Sequence, residues 1–336
     1  MKHSRGDNLK ELLTLVRLPN LLIVALTMML MRYAVLRPLL SSMPVTLADN
    51  PLIVTRMTFQ LGWFDFVVLV VSTVLITAAG YVINDYFDIR TDLINRGRII
   101  VGNTITRRKA MMYHIILNVL GVAGGFYVSA RIGYFWLGIF FLLVSGLLYF
   151  YSASYKRQFL IGNLIVAFLT AMVPMMVVLY DAPAIYAKYS STALSFPGVA
   201  IFFYWVGGFA LFAFLTTLIR EIIKDMEDYE GDLAMERKTL PVSAGMITSR
   251  IVVVTLSLIT VLALYIVWFR YLGDRTTLVL ITLLITLPFV YVIYNVIAGK
   301  EKQMLHAASR MMKIIMLFGI LYSLVAGALI ISGKIF

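Results

Sequence analysis

Leu61 to Asp92 reads LGWFDFVVLVVSTVLITAAGYVINDYFDIRTD, an apolar run that passes without a turn signal into a cluster of polar residues. The apolar part is long enough to cross a bilayer as a helix, which takes about 20 residues. Its end carries Asp85, Asp88 and Asp92 in the pattern D-x-x-D-x-x-x-D, with Asn84 just ahead. Steps of three and four residues return to one helical face, so the expectation is a carboxylate triad along one side of a helix end. The pattern occurs twice. KDMEDYEGD, Lys224 to Asp232, closes a second apolar run, and Asp225, Asp228 and Asp232 each follow their counterparts by 140 residues. Glu221 extends this second stripe by one turn. Carboxylates gathered so closely repel one another unless a cation sits among them.

Composition sets the class. Hydrophobic residues make up 61% of the 336 and charged ones 14%, with a mean hydropathy of +0.91. Soluble domains are about half apolar and a quarter charged, so this is a polytopic all-α membrane protein. The absence of cysteine excludes disulfides, thiolate metal sites and cysteine nucleophiles. Met1 to Arg17 lacks the short apolar core and cleavage site of a signal peptide and reads as a polar, amphipathic segment that stays attached. The formal charge of +12 is not gathered into basic runs interleaved with aromatics. It reads as positive-inside topology and attraction to anionic membrane lipid, not as nucleic-acid binding.

Nine candidate spans follow: about 20–36, 62–84, 110–129, 134–151, 159–180, 197–219, 250–269, 276–297 and 311–332. Arg37 to Gln60, with three prolines, serines and Asp49, reads as a loop, and Asp181 to Ser195 as a second polar connection. Placing the N-terminus inside puts 21 of the 29 Lys and Arg on the cytoplasmic side, which favours N-terminus in and C-terminus out. Both acidic signatures then emerge on the cytoplasmic face. The expected organisation is one domain over 1–336, with a cytoplasmic N-terminal segment at 1–19 and cytoplasmic active-site loops at 84–109 and 220–249. The constant offset divides the eight spans after the first into two groups of four around a central cavity, a parallel internal duplication with the site between its halves.

Aspartate oxygens are hard ligands, suited to Mg²⁺ or Mn²⁺ rather than zinc. The three histidines, His3, His114 and His306, stand apart from the signatures in sequence, against a histidine metal site. Mg²⁺ is commonly shared between a few carboxylates and substrate phosphates, so two opposed triads suggest a bridged diphosphate. Asn84 adds a neutral oxygen or an amide donor. Arg96, Arg98, Lys156, Arg220 and Lys224 are placed to neutralise phosphate oxygens. Taken singly, each of these cations also fits ordinary positive-inside decoration. Solvated loop acids or helix caps are the bland alternative for the aspartates, and two matched triads at the ends of apolar helices argue against it.

NDYFDIRTD followed by INR, with the later REIIKDMEDYEGD, resembles the UbiA superfamily of intramembrane prenyltransferases. RLPN at Arg17 to Asn20, YSASYK at Tyr151 to Lys156 with Gly162 and Asn163 following, and KTLPVSAG at Lys238 to Gly245 are similar to its accessory motifs. The resemblance covers nearly the whole chain. It implies Mg²⁺ held by Asn84, Asp85, Asp88 and Asp92 and by Asp225, Asp228 and Asp232, gripping a prenyl diphosphate. It further implies that Arg17, Asn20, Arg96, Lys156, Lys224 and Tyr151 bind or stabilise the leaving diphosphate while a lipophilic acceptor attacks the allylic cation. Of these, Asp88, Asp92, Asp228, Asp232, Lys156 and Tyr151 are the expected catalytic set.

REIIKDMEDYEGD is most similar to members resembling digeranylgeranylglyceryl phosphate synthases, which implies a geranylgeranyl donor and a prenylglycerol phosphate acceptor. An aromatic acid of quinone biosynthesis is the alternative acceptor. The family's loop after the first signature often reads NRPxRPxPSG, whereas this chain has NRGRIIVGN at Asn95 to Asn103. A transporter is the rival from another class, because intramembrane acids and repeats are common there. It does not account for carboxylate triads beside phosphate-binding cations on one membrane face.

Overall fold

The computed structural model describes residues 5–47, 54–96, 99–299 and 302–335. Among them, nine helices are long and apolar enough to cross a membrane: Leu18–Ser42, Trp63–Phe87, Arg107–Arg131, Phe135–Ala153, Ile161–Thr192, Ala200–Glu227, Met246–Leu272, Arg275–Ala298 and Lys302–Ile331. In hydrocarbon every backbone N–H and C=O must be satisfied within the helix itself. Hydroxyls follow the same rule. Ser72, Thr73 and Thr77 in the second span each donate to the carbonyl four residues back, at 2.8 to 2.9 Å.

Two stretches differ from their sequence reading. The first span runs on to Ser42 instead of giving way to a loop at Arg37. A π-helical turn at Met31–Leu36 leads straight into the helical segment Arg37–Ser42, and such a local π adjustment lets a continuing helix carry Pro38. The fifth span likewise continues through Asp181 to Thr192, with Pro174 and Pro183 inside it. Asp181 is no surface residue; it is fully buried and lies 3.3 Å from Arg32 of the first span. The guanidinium of Arg32 also sits 4.4 Å over the Phe59 ring. Sequence shows two polar side chains in apolar runs, but not that they meet.

The chain forms two compact units. The first contains the residues up to Leu26, Leu61–Gly162 and Glu230–Thr239, and so holds spans two to four. Spans two and three lie close together because small residues face the contact: a Cβ added at Gly121 would lie 2.7 Å from Ile76 and 3.0 Å from the Ser72 carbonyl oxygen. The N-terminal helix Arg5–Leu15 joins this unit through Leu15, which is buried with Val82, Val101, Ile105 and Ala110.

The second unit comprises Thr27–Gln60, Asn163–Tyr229 and Leu240–Phe336. It includes a three-stranded antiparallel sheet in the order β2-β1-β3, with β1 Pro44–Leu47, β2 Val54–Arg56 and β3 Ala193–Ser195. The Arg32–Asp181 pair and this sheet tie span five to the rest of span one. The contact boundary therefore falls after Gly162, not at the boundary between the two sequence repeats.

Candidate active site

Each acidic signature breaks its helix at the middle aspartate. The second span ends at Phe87, Asp88 follows with φ −90° and ψ 4°, and a new helix, Ile89–Arg96, begins. The sixth span ends at Glu227, Asp228 has φ −92° and ψ 9°, and the helix Tyr229–Ala234 follows. In both copies the aspartate amide donates to the carbonyl four residues back, Asn84 at 3.0 Å and Lys224 at 2.9 Å. The single helical face expected from the spacing is thus a bend, with Asp85 before it and Asp92 after it. A short polar side chain that competes for backbone partners favours such a junction over a helix interior.

Within the first unit, protein cations gather on the first signature. Lys156 Nζ lies 2.7 Å from Asp88 Oδ1 and donates to Asn84 Oδ1 at 3.2 Å. Arg237 Nη2 lies 2.7 Å from the same Asp88 oxygen and donates to Thr91 Oγ1 at 2.7 Å, while Nη1 lies 3.4 Å from Asp232 Oδ1. Arg17 Nη2 donates to Asp85 Oδ1 at 2.9 Å, and its guanidinium stacks 4.8 Å over the Tyr81 ring. Tyr81 in turn accepts from the Asn20 amide at 3.2 Å. Asn20 therefore reaches the acids only through Tyr81 and Arg17. Asp92, in the first turn of Ile89–Arg96, adds its negative charge to the field at Arg17. Tyr151 stands close enough to Arg237 to act on it electrostatically.

The backbone is shaped to bring these cations in. Arg17 has φ 54°, at the junction between Arg5–Leu15 and the first span; such a conformation in a non-glycine residue costs about 1 kcal/mol or more and commonly marks function. A Cβ added at Gly162 would lie 2.7 Å from the Lys156 Cα and 3.2 Å from the Tyr155 carbonyl oxygen, so only glycine lets the Lys156 turn close on the start of span five.

Burial and charge then set the protonation. Burial alone would push the Asp88 carboxyl up, but Lys156 and Arg237 outweigh it and hold it below the usual carboxylate range. Burial, only partly offset by Asp88, lowers Lys156 to about 8. Burial lowers Arg17 and Arg237 too, but Asp85 and Asp88 more than reverse this, so both are raised and stay charged.

In the second unit, Asn163 donates to Asp225 Oδ2 at 2.7 Å. Arg220 and Lys224 both pair with Glu221, the latter at 3.6 Å. Arg98 lies outside the described residues, and Arg96 is placed only as the last residue of Ile89–Arg96. Arg237, Thr91 and Asn163 were not singled out from sequence as site residues; Asn163 stood in an accessory motif, and Arg237 counted only as positive-inside charge.

No three Asp, Glu or His among the described residues form a group that would hold a metal ion by themselves. The donor chemistry nonetheless fits Mg²⁺. The ligating atoms on offer are hard oxygens, and within the first unit Arg237 bridges Asp88 and Asp232, so positive charge already holds two carboxylates together there.

A family model described as the UbiA prenyltransferase family matches residues 43–330. A digeranylgeranylglyceryl phosphate synthase from Methanothermobacter thermautotrophicus is 34% identical over 278 residues, covering 81% of this chain and 89% of the relative. A solved structure of digeranylgeranylglyceryl phosphate synthase superposes with a TM-score of 0.60 at 23% identity, covering 95% of this chain and 99% of that one. A UbiA homolog from Archaeoglobus fulgidus, bound to DMAPP and Mg²⁺, gives a TM-score of 0.50 at 19% identity, covering 94% and 99%. At these identities the structural likeness establishes the fold.

Proposed function

The chain belongs to the UbiA prenyltransferase family, and from that premise we propose that it transfers a geranylgeranyl group from its diphosphate to the hydroxyl of a prenylglycerol phosphate. The bond between the allylic carbon and the diphosphate oxygen breaks, its electron pair leaving with diphosphate. The acceptor oxygen then bonds to the allylic carbon, and its proton is released. The observation that carries this reading is the convergence of Lys156, Arg237 and Arg17 on Asp88 and Asp85, in a chain that aligns over most of its length with a synthase of this kind.

In this reading Asn84, Asp85, Asp88, Asp92, Asp225, Asp228 and Asp232 hold Mg²⁺, and Mn²⁺ would suit the same oxygens. The bound ion neutralises charge developing on the leaving diphosphate. Lys156 is already largely desolvated in its carboxylate pair, and Arg17 partly so. Shifting toward a phosphate oxygen therefore costs Lys156 little further desolvation, and fixed cations of this sort stabilise a leaving group most where water is excluded. Tyr151 lines the same region as Arg237. Arg96, Arg98, Arg220, Lys224 and Asn20 complete the proposed diphosphate-binding set. The proposed topology places both signatures on the cytoplasmic side of this integral membrane protein, with the C-terminus opposite.

The test is diphosphate release by purified protein with Mg²⁺, geranylgeranyl diphosphate and a panel of acceptors. The reading expects release with a prenylglycerol phosphate well above that with a hydroxybenzoate or dihydroxynaphthoate. Release with the aromatic acids alone would reassign the acceptor.

A further inference from the structure

Asp88 Oδ1 lies 2.7 Å from Lys156 Nζ and 2.7 Å from Arg237 Nη2. Two full positive charges on one carboxylate oxygen leave no room for a divalent cation to coordinate that oxygen. Lys156 has a second acceptor, the Asn84 amide oxygen. Arg237 is different, because its planar fork reaches two carboxylates from distant parts of the chain, Asp88 and Asp232. Those two are what a metal would otherwise have to bring together.

The turn that carries Arg237 is built for this position. The helix Tyr229–Ala234 ends with the Arg237 amide donating to the Asp232 carbonyl at 2.9 Å, and Glu236 takes φ 52°. This is the left-handed closure that ends many helices, normally with glycine at the turning residue. Glutamate there is strained. The turn folds Arg237 back onto the helix that holds Asp232, and the next amide, Lys238, donates to the Arg157 carbonyl at 2.9 Å. That bond joins the turn to the loop carrying Lys156. The guanidinium is thus placed by backbone bonds on both sides, and its side chain is only 12% exposed.

We propose that Arg237 is a positioning residue that stands in for the divalent cation, holding Asp88 and Asp232 together in the unloaded protein and giving way when Mg²⁺ binds. The proposal rests on the prenyl-transfer reading. Removing the guanidinium leaves two buried carboxylates to repel each other until a metal arrives. It also removes the competitor for the Asp88 oxygen.

The experiment is thermal unfolding of the purified full chain in detergent, with Mg²⁺ titrated from a chelated start and no substrate present. The proposal expects Arg237→Gln to unfold at lower temperature than wild type when metal-free. It expects the variant to gain more from Mg²⁺, and to reach half of that gain at a concentration lower by roughly fivefold or more. Arg237→Lys, which keeps the charge but not the fork, should lie between wild type and Arg237→Gln in the metal-free state. Should Arg237→Gln not fold, Arg237→Lys carries the test, because an ammonium cannot span two carboxylates as a fork does and its Mg²⁺ midpoint must still fall. An unchanged Mg²⁺ midpoint in whichever variant folds overturns the proposal. A wild type that shows neither a Mg²⁺ shift nor diphosphate release from a prenyl donor sinks the underlying reading instead.

Discussion

Asp88 is where the fold and the proposed chemistry meet. It ends the second span, turns the chain, and receives Lys156 and Arg237 on one oxygen. Replacing it with asparagine keeps the shape but removes the charge that holds both cations, so diphosphate release should fall about 10²–10³-fold, the usual cost of a lost electrostatic element. Lys156→Met should lower release by a similar factor in the same assay. The acids and Lys156 were legible in the sequence because intramembrane carboxylates are rare and the spacing repeats. Arg237 was not, since one arginine among many on a positive-inside face carries no signal until the turn at Glu236 aims it. Asn163 was legible only as part of a motif, its hydrogen bond to Asp225 being a matter of tertiary packing.

Among the elements, apolar length located the spans and polarity misplaced two of their ends. Pro38 and Asp181 look like breakers in sequence, yet one follows a π-helical turn inside a continuing helix and the other is buried against Arg32. The bend at Asp88 and Asp228 was equally hidden, because a spacing of three and four fits a continuous helix as well as two abutting ones. Close approach of elements gives two further predictions. Gly121→Leu should drive spans two and three apart at Ile76 and Ser72, lowering stability by about 1–3 kcal/mol, seen as earlier thermal unfolding. Gly162→Val should displace the Lys156 turn and reduce turnover about 10²-fold, the scale of a catalytic group moved by an ångström, with Mg²⁺ binding retained.

At the scale of the whole molecule, the 140-residue offset between signatures reappears as matching backbone angles at Asp88 and Asp228, whereas the compact units divide the chain elsewhere. Sequence periodicity records the repeat; the Arg32–Asp181 pair and the sheet decide which unit span five joins. Sidedness is testable cleanly because the chain has no cysteine. Single cysteines at the exposed positions Glu230 and Ser332 should differ toward a membrane-impermeant maleimide added outside intact cells. Ser332→Cys is expected to label and Glu230→Cys only after permeabilisation; the reverse would invert the topology. The central claim is metal-dependent prenyl transfer, and the most direct measurement is diphosphate released by the purified wild-type chain from geranylgeranyl diphosphate and a prenylglycerol phosphate. Release that requires Mg²⁺, stops with chelator and is lost in both Asp88→Ala and Asp228→Ala is the predicted result. Release that persists without a divalent cation, or none with any prenyl donor and acceptor, would contradict it.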